Sequence, residues 1–292
     1  MLKRAIRKFV PKALEDPLRS AYHATTDLFD LLILRRIEMR LHGRGEMTPP
    51  RRLVGAIGGG GFEEVGREFL AHFISLGGLE PRERVLDVGC GSGRMAAPLT
   101  AYLTSGSYEG FDIVGDTVRW CQTRITPRFP RFRFQKSDVR SEVFNPRGSF
   151  LASEYRFPFE DASFDFVFLT SVFTHMLPED MEHYLSETAR VLKVGGRCLI
   201  TFFLLNEESL ALIASGKAAL RFPFERNGFR TNSADHPELA IAYPEDRIRG
   251  LFDKFGLTLR SISGGSWCGR DSFASFQEIA VAVKNGAEPA RT

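Results

Sequence analysis

No stretch of the 292-residue sequence approaches the roughly 18 consecutive apolar residues of a membrane span, so a membrane-crossing helix is not expected. Cysteine is scarce. Cys90, Cys121, Cys198 and Cys268 are scattered without a C-x-x-C pair, which argues against a zinc site and favours free thiols in a reducing compartment. No cluster of His, Asp and Glu has metal-ligand spacing, so magnesium-assisted chemistry is not expected. The opening "MLKRAIRKFVPKALED" is charged throughout and lacks the apolar core of a secretory signal, which makes the cytoplasm the expected location. Internal repeats and low-complexity tracts are also missing.

The net charge of +3 is small, but it is unevenly placed. Residues 1–52 hold 12 Lys and Arg against 6 Asp and Glu, which leaves the body of the chain mildly acidic. A mildly acidic body disfavours an extended nucleic-acid track, so no nucleic-acid partner is expected. In "MLKRAIRKFV", Leu2, Ile6, Phe9 and Val10 fall near one helical face and the basic residues elsewhere. Two readings suit such an arm: a contact with its own domain or a second subunit, or a helix on a membrane surface. Pro11, Pro17 and Pro49-Pro50 interrupt it.

From residue 62 the rhythm changes. The amphipathic helix "FEEVGREFLAHFISLG" precedes strand 83–88, helix 93–104, strand 107–112, helix 115–125 and strand 132–137. After a longer loop come strand 164–170, helix 178–193 and strand 196–203. Strands alternating with helices predict an α/β fold with a doubly wound, mostly parallel sheet, with ligands gathering at the carboxyl ends of the strands. Residues 204–243 read as a polar and aromatic insertion, and a helix at 244–254 follows. Strands 256–263 and 275–284, joined by the short link "SGGSWCGRDS", predict an antiparallel hairpin at the sheet edge.

The informative segment is "VLDVGCGSGR", residues 85–94, where an apolar run ends in three glycines before a helix. Such a junction brings bare backbone to a helix N-terminus and suits a ligand that needs close approach. The dinucleotide fingerprint G-x-G-x-x-G/A fits Gly89 and Gly91 but meets Arg94 at its last position, which counts against a nicotinamide cofactor. Asp87 lies two residues before the first glycine, Asp112 closes the second strand and Asp138 the third. A carboxylate at Asp112 suits the vicinal hydroxyls of a ribose, and one at Asp138 suits an exocyclic amine of a base. Each acid alone could be a helix cap. Together they mark a nucleotide site.

These motifs resemble the class I S-adenosylmethionine-dependent methyltransferases of the small-molecule branch. "VLDVGCGSGR" resembles the family's first motif, "GFDI" its second acidic position and "FQKSDV" its third, while "FPFEDASFDFVFLTSVFTHM" and "YLSETARVLKVGGRCLITFF" resemble its fourth and fifth strands. The likeness covers about residues 62–285 and implies a seven-stranded Rossmann-like sheet with the last strand antiparallel. It implies a chain divided into a helical extension and cap loop (1–61), a methyltransferase domain (62–285, with 204–243 an insertion on the substrate side) and a tail (286–292). S-adenosyl-L-methionine is the implied cofactor. Gly89, Gly91 and Gly93 would line its methionine end, and Asp87 would support that loop and the ammonium. Asp112 would hold the ribose, Asp138 and Val139 the adenine, and Thr170 would face the sulfonium region. The loop "AIGGGGFEEVG" would close over the site, with Phe62 as a cover, or serve as a plain hinge.

His175, just past the fourth strand, is the expected catalytic base for an oxygen acceptor, its alternative being a loop anchor. Tyr155 and Trp267 read as core aromatics that could also line an acceptor pocket, and Glu160 and Asp161 as turn residues. The Asn/Asp-Pro-Pro-aromatic signature of base-directed amino methyltransferases is absent after the fourth strand, as is the Pro-Cys pair of cytosine C5 enzymes. The expected activity is therefore methyl transfer to oxygen on a small molecule, a glycan or a lipid-linked acceptor. Two alternatives stand beside it: a non-catalytic binder of the same cofactor with a basic partner- or membrane-binding arm, and a nicotinamide-dependent oxidoreductase.

Overall fold

The computed structural model describes residues 47–55 and 61–286. Most of the basic arm and the glycines 58–60 of the cap loop therefore lie outside the described residues. The chain divides into two compact units, residues 1–65 and 66–292. In the first, a short helix α1 (Arg51–Gly55) is described, and Thr48 donates its hydroxyl to Glu63 at 2.9 Å. Helix α2 (Phe62–Ser75) carries the chain into the second unit. No helix among the described residues is long and apolar enough to cross a membrane.

The larger unit alternates as the sequence predicts: β1 (Arg84–Val88), α3 (Ala96–Tyr102), β2 (Ser107–Asp112), α4 (Gly115–Arg124), β3 (Phe132–Lys136), β4 (Phe164–Leu169), α5 (Pro178–Val191) and β5 (Leu192–Phe202). It closes with α7 (Glu245–Lys254), β10 (Leu257–Ser263) and β11 (Glu278–Lys284). The main sheet has seven strands in the order β10-β11-β5-β4-β1-β2-β3. The pairings of β1 with β2 and β4, of β2 with β3 and of β4 with β5 are parallel, whereas β11 runs antiparallel to both its neighbours. This is the expected Rossmann-like methyltransferase architecture with the expected edge hairpin. Chain order reverses between β1 and β4, the crevice at which such sheets place their ligand.

Burial explains the element types. β1 and β4 are packed on both faces, and their side chains from Val85 to Val88 and Phe166 to Leu169 are buried, which is why they read as unbroken apolar runs. Helix α5 starts with Pro178, carries Glu179 and Asp180 in its first turn and Arg190 in its last, and buries Met181, Tyr184, Leu185 and Thr188 on one stripe. On the opposite face of the sheet Phe73 of α2 stacks on Phe168 at 4.3 Å and meets Phe166 edge-on. The helix after the glycines is shorter than the expected 93–104, because residues 91–95 are spent in the turn itself.

The insertion is more ordered than its polar sequence suggests. β6 (Leu204–Leu205), α6 (Glu207–Ala214), β7 (Phe224–Arg226), β8 (Phe229–Thr231) and β9 (Ile241–Pro244) build a second sheet in the order β6-β9-β8-β7 beside α6. It has its own core of Phe203, Leu205, Phe222, Ala242 and Trp267. Trp267 is fully buried and donates its indole N–H to Glu278 at 2.7 Å, so it is a core residue rather than a pocket wall.

Candidate functional site at the strand ends

Past β1 the backbone turns through Gly89, Gly91 and Gly93, with φ of +83°, +50° and +81°. Only glycine enters this region without strain. Neighbours add a second constraint: a Cβ at Gly93 would stand 2.7 Å from Ile125 Cδ1 and 3.1 Å from Cys121 Sγ, and one at Gly89 would strike Val172. The N–H groups of Gly89 and Cys90 both donate to the Phe111 carbonyl, at 2.9 and 3.0 Å, strapping the turn to β2.

Asp87 lies beneath this turn, buried in β1. In the sheet register it faces Gly110, which has no side chain, and Tyr108 reaches across that gap to donate its hydroxyl to Asp87 Oδ2 at 2.5 Å. A Cβ at Gly110 would come within 2.9 Å of that hydroxyl. Asp87 Oδ1 is buried without a hydrogen-bond partner among the described residues. Burial pushes the Asp87 carboxyl up from 3.8 to about 8, Tyr108 opposing the shift and Asp112 adding to it. An orphaned, buried carboxylate oxygen under a glycine turn fits a cationic ligand group such as an ammonium.

Asp112 ends β2. Its Oδ2 accepts the Gly91 N–H at 2.7 Å and its Oδ1 accepts the Val114 N–H at 2.8 Å. Burial raises its pKa, and these backbone donors oppose the rise. A carboxylate offers about four lone-pair sites, so after these two bonds it retains capacity for two hydroxyl donors. The Ser137 N–H donates to the Asp112 carbonyl, which brings the end of β3 alongside. There Asp138 lies 3.7 Å from Lys136, and the Ser149 hydroxyl, then Lys136, hold its carboxyl below the ordinary value. Val139 is buried in the main core and bridges to Phe150. The ends of β4, β1, β2 and β3 thus present Thr170, the glycine turn, Asp112 and Asp138 along one edge.

Beyond Thr170 the chain makes a tight corner. Ser171 has φ of +59° and is held by its N–H donating to Thr201 Oγ1 at 2.7 Å and by Gln277 donating to its hydroxyl at 3.0 Å. Val172 packs on Gly89, and the turn Phe173–His175 follows. His175 does not touch the acids. Its Nδ1 lies 2.9 Å from the Glu238 carbonyl of the insertion, and Phe144 meets its ring edge-on. A carbonyl can only accept, so Nδ1 carries the proton. Burial lowers the His175 pKa from 6.5, with the backbone of Glu238 and Leu239 and the Glu238 charge opposing the shift, and this favours the neutral ring. Glu160 and Asp161 are outside this cluster. Asp161 sits in a turn and pairs with Arg190 at 2.6 Å. Sequence reasoning missed Tyr108, Ser171 and Gln277. The signal for Tyr108 was its strand parity: residues 108, 110 and 112 share one face of β2.

A doubly wound sheet with a glycine turn at its switch point and acids on the next two strand ends defines a nucleotide-binding α/β domain of the Rossmann-like type. Residues 86–200 match the family model described as a methyltransferase domain. Over this segment the chain is similar to S-adenosylmethionine-dependent methyltransferases. It is 34% identical over 119 residues to phthiotriol/phenolphthiotriol dimycocerosates methyltransferase 1 of Mycobacterium ulcerans, covering 41% of this chain and 37% of that protein. A fatty-acid O-methyltransferase of Mycolicibacterium smegmatis is 31% identical over 119 residues, covering 41% of this chain and 36% of that protein. The chain thus aligns with little more than a third of the length of these relatives. Among solved structures, a SAM-dependent methyltransferase of Methanosarcina mazei superposes with a TM-score of 0.50 at 21% identity, over 73% of this chain and 97% of that one.

Proposed function

We propose that the protein transfers the methyl group of S-adenosylmethionine to an oxygen atom of a small or lipid-linked acceptor. The observation that carries this reading is the orphaned Asp87 oxygen beneath three left-handed glycines, beside an Asp112 carboxylate with acceptor capacity to spare. When bound, the cofactor supplies an electrophilic methyl on a sulfonium. Asp87 would then accept the ammonium, Asp112 the ribose hydroxyls and Asp138 the adenine amine, while Thr170 borders the sulfonium region. The neutral His175 takes the acceptor's proton on Nε2, with Nδ1–H fixed by Glu238. In-line displacement then needs alignment and exclusion of water more than further chemistry. The fatty-acid relative supports an oxygen acceptor attached to an apolar molecule. A reducing, cytoplasmic location is part of this proposal, and the four buried free thiols are compatible with it.

Calorimetric titration of S-adenosylmethionine, S-adenosylhomocysteine and NADH into the wild type and Asp112→Ala tests the cofactor. Binding of both sulfur nucleotides, weakened by the substitution and absent for NADH, is expected. A folded wild type that binds neither sulfur nucleotide refutes the reading. Binding without turnover across fatty-acid, hydroxylated-lipid and glycan acceptors would leave a non-catalytic binder.

A further inference from the structure

The insertion meets His175 through one short turn, Pro237–Leu239, between β8 and β9. The small sheet sets the place of that turn. The Thr231 hydroxyl donates to the Pro237 carbonyl at 2.9 Å, and the Asn232 N–H donates to the Ala240 carbonyl at 3.2 Å. Pro237 also restricts φ at the first residue of the turn. Glu238 therefore stands on a fixed backbone, and both its carbonyl and its carboxylate are engaged.

The carbonyl accepts from His175 Nδ1 at 2.9 Å. The carboxylate reaches the loop after β3, where Oε2 accepts the Ser141 hydroxyl at 2.5 Å and the Glu142 N–H at 3.1 Å. Ser141 passes the connection on, because its Oγ accepts the Phe144 N–H at 3.3 Å. Phe144 in turn stands edge-on to the His175 ring, with centroids 5.2 Å apart. The contacts thus close on themselves, from carboxylate to Ser141 to Phe144 to imidazole and back to the carbonyl of the same residue. The loop is tied at its far side too: Asn145 donates to the Val139 carbonyl at 2.8 Å, and the Ser149 and Phe150 N–H groups donate to the Asp138 carbonyl. A satisfied network of this kind rigidifies more than its separate pairs would.

Two opposing effects meet at the imidazole. Exclusion of water, to which Phe144 contributes, favours the neutral ring, whereas the Glu238 charge favours the protonated one. The other ionisable groups around this turn are Glu142 on the loop, Glu179 and Asp180 at the start of α5, and Tyr243 on β9 with Arg247 acting on it. Among them all, Glu238 is the charge that bears on His175. We propose that Glu238 is the positioning residue of His175: its carbonyl fixes the ring, and its carboxylate clasps the loop that covers it. The insertion is thereby a working part of the site. Its service to catalysis rests on the methyltransferase reading, whereas the clasp itself does not.

The test is an NMR titration of the whole protein carrying isotope-labelled histidine, with the His175 signals assigned by their loss in His175→Gln. The wild type is expected to show the Nδ1–H tautomer. Glu238→Gln keeps an acceptor for Ser141 and Glu142 but removes the charge, so His175 should titrate lower than in the wild type with its tautomer kept. Ser141→Ala keeps the charge but releases Phe144, so the ring is rehydrated and should titrate higher, toward 6.5. Glu238→Ala removes both and should lose part of the Nδ1–H signal, which the conservative Glu238→Gln retains. Should Glu238→Ala fail to fold, the two milder variants carry the test through their opposite signs. S-adenosylhomocysteine is titrated into each protein in parallel, so that loss of the cofactor reading is seen separately from loss of the clasp. A His175 titration unmoved in either milder variant, shifts of the same sign in both, or an Nε2–H tautomer in the wild type overturns the proposal.

Discussion

Asp87→Asn removes one ionisable proton from the floor of the site while keeping an oxygen that can accept from Tyr108. In the native state the Asp87 carboxyl titrates at about 8, against 3.8 for the unfolded chain. Between those values the native protein holds a proton that the unfolded chain has released. Stability therefore falls as pH rises through this window, by about 1.4 kcal/mol per pH unit, and the loss is complete above about pH 8. It is absent below about pH 4, where both states are protonated. Other groups titrate as well, so the informative quantity is the wild type minus Asp87→Asn. From about pH 5 to about pH 7 that difference should move by roughly 2.7 kcal/mol, the variant becoming progressively the more stable of the two. A typical domain has only about 5–15 kcal/mol in total, so the effect is large. Urea unfolding of both proteins across this range measures it. Curves that stay parallel within about 0.5 kcal/mol would show that Asp87 is ionised in the native state and would refute the argument from desolvation. The same proton couples to ligand: an ammonium at Oδ1 favours the carboxylate, so affinity for S-adenosylhomocysteine should rise with pH toward 8 in the wild type and flatten in Asp87→Asn.

Gly93→Ala forces a side chain into the left-handed region, at about 1–2 kcal/mol, and into Ile125 and Cys121. A lowered melting temperature together with weakened cofactor binding is expected, and a variant that binds like the wild type would deny the turn its role. His175→Gln should lower kcat for an oxygen acceptor by about 10²–10⁴-fold while leaving S-adenosylhomocysteine affinity unchanged. Because burial lowers its pKa, the acid limb of the wild-type kcat profile should lie below 6.5 and vanish in the variant. Phe168→Ala, which removes a fully buried ring stacked on Phe73, should cost about 3–5 kcal/mol in urea unfolding, and a cost under 1 kcal/mol would mean that the two faces of the sheet are not packed as described.

Local chemistry made the main sheet legible. Apolar runs such as "RVLDV" and "FDFVFL" admit only strands buried on both faces, and their alternation with amphipathic helices leaves the parallel, right-handed arrangement as the consistent solution. The glycine turn and Asp112 were legible for the same reason, since φ above zero and a strand-end acid are properties of single positions. The insertion was not legible as a sheet. Its strands β6 to β9 are two to four residues long, too short for a period-two pattern, although Asn227-Gly228 between two Phe-Arg-rich segments marks a hairpin. Sequence alone thus determined which residues could form a nucleotide cradle. Tertiary structure alone decided their states, because burial and partners come from distant segments. Tyr108 reaches Asp87 only across the gap at Gly110, His175 is fixed as a Nδ1–H tautomer by a carbonyl 63 residues away, and Arg247 meets the β7–β8 hairpin only once the small sheet has formed.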